Sequence, residues 1–274
     1  MQKQHNNIWW GPPREFSNQV EERKISWLEL FFDLVYAVVI SRTTHGLAVN
    51  NTTGGILDYA YLIIIVFWGW YNGSQYYDLH GTTGIRTRLM TLWQMMAVAA
   101  LAVTLYSSPD KAVGRATIAI ALLQFFITYL WWSVGIYDKK HRKYNIPYTV
   151  CYLIAFGLII ATLFVPQPYK RLLFWITLVL NYLPPFIASK ILKRHNSDFS
   201  LSPSMIERLG LFTIIVFGEA ILGVVNGLNL FGDLTLTVWL CFGLGILIVF
   251  SLWWIFFSLI ADRQSQNGLA KGTV

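Results

Sequence analysis

Three carboxylates stand in apolar sequence where charge has no evident use. Glu29 and Asp33 lie in "WLELFFDLV", and Glu219 lies in "VFGEAIL". An ionised acid at mid-bilayer costs about 2.5–3.5 kcal/mol on insertion scales, so an acid inside a span is a functional-site candidate by default. The chemistry such groups offer is proton carriage or cation coordination, since a carboxylate replaces hydration oxygens and changes charge on protonation. At about 100° per residue, Glu29, Asp33, Tyr36, Ile40 and Leu47 share a helix face, and Arg42 and His45 point away. Trp68, Tyr71, Asn72, Gln75 and Leu79 share a face of the second apolar run. Arg208, Phe212, Ile215, Glu219, Gly223 and Asn226 form a stripe on the seventh. Glu219 falls three turns beyond Arg208, roughly 16 Å deeper at the rise of a helix. The expected relay is Asp33, Glu219 and Glu29, supported by Tyr71, Asn72, Gln75, Arg208 and Asn226, with Asp33 facing Asn72, Gln75 and the Arg208/Glu219 stripe.

Each acid also has a plainer reading. Glu29 is close enough to the interface to pair with Arg86, Arg88 or Arg208, and Asp33 could bond Asn72, Tyr71 or a serine across a helix interface. The glycine pairs Gly69/Gly73 and Gly223/Gly227 are expected to let helices approach closely. "NYLPP", Asn181 to Pro185, removes backbone donors and is expected to kink or break its helix.

The elements that must position these residues are membrane spans. The chain is 55% apolar and 13% charged, about half the charged share of an ordinary soluble domain, near 25%. Eight runs reach the roughly 20 residues a span needs, at about 27–46, 56–77, 89–107, 115–137, 147–165, 171–190, 206–228 and 234–261. The fold class is therefore all-α, a polytopic helical membrane protein. Its parts are a tail over 1–25, a membrane domain over 26–262 and a second tail over 263–274. Residues 1–25 hold no apolar run, so the first span is expected to act as its own insertion signal. Trp9 and Trp10 are expected either at the headgroup level or in a frayed tail.

Arg86, Arg88, Lys139, Lys140, Arg142, Lys143, Lys190, Lys193 and Arg194 fall in loops on the side of the two termini. The other side holds Arg42, Lys111, Arg115, Lys170 and Arg171. By the positive-inside rule both termini are expected in the cytoplasm. This scatter of cations between apolar runs forms no basic face for nucleic acid. Asn50 and Asn51 in "NNTTGG" are read as an ordinary polar turn. Cys151 and Cys241 lie in apolar runs without metal or redox spacing, and the sequence implies no metal and no cofactor.

"WLELFFDLV", "IERLGLFTIIVFGEAIL" and the aromatic run "LWWIFF" resemble the bacterial low temperature requirement protein A family. The resemblance runs from about residue 23 to residue 262, and its matched residues are Glu29, Asp33, Glu207, Arg208, Gly218 and Glu219. It implies an integral protein of the cell membrane, linked to growth in the cold, whose molecular activity is unsettled. It also implies further hydrophobic segments after the Trp-Trp span, so the chain is expected to be a truncated or divergent member. An internal repeat starting near residue 206 is a further expectation. "FFDLV" aligns with "FGEAI", and Trp68 and Trp253 follow Asp33 and Glu219 by 35 and 34 residues.

The leading expectation for function is a cation or proton transport pathway. The alternative is a structural or partner-binding membrane protein in cold or stress adaptation. A membrane enzyme is less favoured, because HExxH and GxSxG are absent and His45, His80, His141 and His195 lie at span ends or in loops. The expected partners are the lipid bilayer and either a second copy or a complementary membrane subunit.

Overall fold

A computed structural model describes residues 10–15, 24–49, 52–82, 84–105, 109–166, 169–192, 202–228, 233 and 235–271. The eight apolar runs form eight helices: α1 Trp27–Val49, α2 Thr53–His80, α3 Ile85–Thr104, α4 Pro109–Tyr137, α5 Arg142–Ala161, α6 Tyr169–Leu192, α7 Pro203–Leu228 and α8 Leu236–Lys271. Seven of them, α2 to α8, are long and apolar enough to cross a membrane. α1 is comparable in length, at 23 residues, but carries Glu29, Asp33 and Arg42. Asn50 and Asn51, like Trp9, Lys193 and Arg194, lie outside the described residues.

Helix ends depart from the expected runs where capping overrides hydropathy. Thr52 accepts a hydrogen bond from the Gly55 amide at 3.1 Å, so α2 starts inside the expected loop "NNTTGG". α5 starts at Arg142, so the basic connection "DKKHRKYNIP" is half helix, with Pro147 inside it. The apolar part of α8 ends at Leu259, but the helix continues.

The chain divides into two compact units, Met1–Arg208 and Leu209–Val274. In the first unit α2 is the central element and touches α1, α3, α4 and α6. Glycine makes that possible: a Cβ on Gly69 would lie 2.8 Å from Leu123 Cδ2, and one on Gly73 would lie 2.7 Å from Phe32 Cζ. The outward residues Phe31, Leu34 and Val38 of α1 are exposed and apolar, whereas Phe32, Tyr36, Ala37 and Val39 are buried. Arg42 and His45 point outward, as their wheel positions require.

α6 continues through Pro184 and Pro185, so of the expected kink or break the break does not occur. Pro185 has no N–H to offer the carbonyl of Asn181, one turn back. Trp68 Nε1 of α2 donates to that carbonyl instead, at 2.8 Å. The Asn181 side chain exchanges two hydrogen bonds with Gln124 of α4, at 3.0 and 3.1 Å. Gln124 also donates to the Tyr152 carbonyl, and the Tyr152 hydroxyl donates to Asn72 Oδ1. This polar knot ties α2, α4, α5 and α6, and its members are buried. It satisfies the carbonyl that a proline orphans.

Part of the N-terminal tail is docked. Arg14 caps the C-terminal end of α2, its Nε donating to the Leu79 carbonyl at 3.2 Å and its terminal nitrogen to the Asp78 carbonyl. His80 Nδ1 bonds the Arg14 carbonyl at 2.9 Å, and Pro13 is buried. Trp10, at 37% exposed, lies at the edge of this strap.

The second unit is a hairpin of α7 and α8. A Cβ on Gly245 would meet Val224 at 3.1 Å, and one on Gly210 would meet Phe257 at 3.7 Å, the register of an antiparallel pair. A Cβ on Gly223 or Gly227 would meet nothing within 4 Å, so this second glycine pair is not the close-packing seam expected of it. The acids of the supposed repeat also stand at different places in their helices: Asp33 lies in the second turn of α1, and Glu219 lies in the fifth turn of α7.

Candidate functional site

The site begins with a helix cap. The Ser26 amide and hydroxyl both donate to Glu29 Oε1, at 3.0 and 2.8 Å, and the Glu29 amide lies 3.4 Å from Ser26 Oγ. This is the reciprocal capping box that S-x-x-E encodes. It fixes the Glu29 side chain with one oxygen committed to the cap and Oε2 left to face inward.

Arg208 meets that oxygen from the other end of the unit. Ser202 caps α7 through the Met205 amide at 3.0 Å, and its hydroxyl bonds Asp78 Oδ2 of α2 at 2.6 Å, which anchors the start of α7. Arg208 NH1 donates to Glu29 Oε2 at 3.3 Å, and NH2 to the Glu29 carbonyl at 3.4 Å. One turn along α1, Asp33 receives Arg208 NH2 at 2.8 Å and Nε at 3.1 Å, and Trp70 Nε1 of α2 at 2.7 Å. The guanidinium carbon stands 5.3 Å over the Phe32 ring. The side chains of Arg208, Glu29 and Asp33 are 3%, 1% and 0% exposed.

Among the described residues, the two carboxylates share the Arg208 guanidinium. The positive end of the α1 dipole lies in the same turn as Glu29 and favours its negative charge.

Beside it is a cavity of about 10 Å³, room for roughly one water, whose walls include Glu29, Phe32, Gly73, Thr91, Gln94 and Arg208. Gln94 is 3% exposed, its amide nitrogen donates to the Met90 carbonyl at 3.3 Å, and its Oε1 has no hydrogen-bond donor.

The expected residues separate into two groups. Glu29, Asp33 and Arg208 come together. Asn72 belongs to the Tyr152 knot rather than to Asp33, because the face of α2 that meets Asp33 is the one bearing Trp70. Tyr71 is half-buried, and Gln75 Oε1 is buried without a hydrogen bond. Glu219 is half-buried in the second unit, with neither hydrogen bond nor ion pair among the described residues, and Asn226, Glu207 and Gly218 are exposed. Sequence reasoning missed Ser26, Trp70, Thr91 and Gln94. The capping box was legible in "SWLE", whereas the other three come from tertiary packing. His80 bonds the Arg14 carbonyl and His141 bonds Asp138, away from the cluster. Cys151 is buried and Cys241 exposed, both free.

The two acids on α1 and Arg208 on α7 fall in the two motifs of the resemblance noted above, and the sequence profile of the bacterial low temperature requirement A protein (LtrA) matches residues 24–273. The chain belongs to the LtrA family. An uncharacterized protein of Rhizobium meliloti (strain 1021) is 25% identical over 252 residues, covering 86% of this chain and 59% of that protein. The chain thus spans about three fifths of the length of the curated relative it matches. No solved structure matches the LtrA chain. The family and the helices together make this an integral membrane protein with several spans.

Proposed function

We propose that this LtrA protein passes a proton or small monovalent cation through the cluster of Glu29, Asp33 and Arg208. On this reading α1 is the eighth span, the protein resides in the cell membrane, and both termini are cytoplasmic, in keeping with the loop cations. The observation that carries it is the burial of two carboxylates, Glu29 and Asp33, one turn apart beside a guanidinium and a small cavity. A pair of interior acids can take up and release a positive charge, the elementary act of a relay. Asp33 and Glu29 are its carriers and Arg208 their counter-charge. Glu219, deeper in α7 by sequence, is the second carrier.

One observation favours a second reading. Every carboxylate oxygen of Glu29 and Asp33 already has a donor within 3.3 Å. A fully satisfied ion cluster can also serve to fix helix register, which is the structural or partner-binding role in cold or stress adaptation. Proton and cation flux into proteoliposomes separates the two. Transport requires flux that disappears in Asp33→Asn, whereas folded, inserted protein without flux supports the structural role.

A further inference from the structure

We infer that Tyr77 and Ser26 form the entry step of the relay and hand a proton from the edge of the helix bundle to Glu29. The Ser26 hydroxyl donates to Glu29 Oε1 at 2.8 Å, and its oxygen lies 3.4 Å from Tyr77 Oη. An ionised carboxylate only accepts. The single Ser26 hydroxyl hydrogen is therefore committed to Glu29, and in the second contact Tyr77 Oη donates to Ser26 Oγ. Tyr77, Ser26 and Glu29 thus form a hydrogen-bonded chain of one polarity, the arrangement along which a proton hops. Burial follows the same order: Tyr77 and Ser26 are half-buried, and the Glu29 side chain is 1% exposed.

The step balances without an added reactant. A proton from bulk water binds Tyr77 Oη, the hydroxyl proton of Tyr77 passes to Ser26 Oγ, and that of Ser26 passes to Glu29 Oε1. Glu29 becomes a neutral carboxylic acid, and both hydroxyls are restored. Oε1 has two lone pairs: one accepts the Ser26 amide at 3.0 Å, and the proton lands on the other. Arg208 NH1 still donates to Oε2, so the acid stays in place as its charge changes. The other titratable or charged groups lining the cavity beside Glu29 are Tyr76 of α2 and Arg208 of α7, and α3 and α4 line it with uncharged side chains. A capping box needs the serine but has no use for a tyrosine hydroxyl. The inference deepens the transport reading and rests on it for where the proton goes next, but entry is measurable without flux.

The test is the rate at which the carboxylic acid C=O infrared band of Glu29 grows after a downward pH jump, on the full chain in liposomes, with Glu29→Gln identifying the band. Tyr77→Phe removes one oxygen and leaves the cap intact. It is expected to slow the band at least tenfold, at unchanged final amplitude and helix content. Should Tyr77→Phe not fold, Ser26→Gly provides the same readout, since glycine replaces an N-cap serine at little cost to the helix, and Ser26→Thr, which keeps the hydroxyl, should retain the wild-type rate. An equal rate without the hydroxyl overturns the path. A lower final amplitude also overturns it, because it marks a changed setting for Glu29 in place of a lost route. An equally fast band with proton flux retained would sink this inference while the transport reading stands, whereas a slowed band in protein without flux would do the reverse.

Discussion

Replacing Arg208 with methionine tests whether the acids of α1 depend on it. The substitution keeps most of the stem and removes the guanidinium that bridges the two acids, so that donors are lost at both Asp33 oxygens and at Glu29 Oε2. What remains is two carboxylates, each no more than 1% exposed, held by Ser26 and Trp70. Removing one partner of a buried ion pair costs about 3–5 kcal/mol, chiefly through the uncompensated charge left behind. The triple variant Glu29→Gln, Asp33→Asn, Arg208→Met removes all three of these charges, and its amide oxygens still accept from Ser26 and Trp70. It should recover most of the loss, to within about 2 kcal/mol of wild type, since neutral replacement of a buried ion cluster is often close to neutral overall. Reversible denaturation of purified protein, followed by helical circular dichroism, gives both values. A cost below about 1 kcal/mol for Arg208→Met, or a triple variant no more stable than the single one, would refute the reasoning.

Three other substitutions probe the scaffold. Trp68→Phe strands the Asn181 carbonyl and should cost about 1–3 kcal/mol beyond the lost packing; Pro185→Ala restores an amide donor there, so a double-mutant cycle should show coupling, and simple additivity would contradict it. Gly73→Ala should destabilise by about 1–3 kcal/mol through overlap with Phe32 and Gln94, whereas Gly223→Ala, with nothing within 4 Å, should be neutral or gain up to about 1 kcal/mol from helix propensity. Arg14→Ala should release the strap and speed proteolysis of the N-terminal tail with little change in global unfolding, read by timed digestion and mass spectrometry.

Much of the fold was legible because a span writes itself into composition: each of eight apolar runs became a helix, and the inward stripe of α1 follows its wheel. The pairing of Arg208 with Glu29 was among the alternatives that residue types allowed, and the geometry selects it. The partner of Asp33 was not legible. The C-terminal half of α2 is buried over most of its circumference, so its polarity did not reveal which face met α1, and an indole N–H did the work expected of Asn72 and Gln75. Nor does local sequence show that the proline-freed carbonyl of Asn181 would be met by Trp68, more than a hundred positions away. Glu219 was singled out for its expected depth, but depth along one helix does not supply a partner.

The most direct test of the central claim is the rate of proton and sodium entry into proteoliposomes holding wild type or Asp33→Asn, at matched orientation and amount of folded protein. Measurable entry in wild type that falls at least tenfold in Asp33→Asn is the predicted result. Equal entry in both, or none above empty liposomes in either, would contradict it.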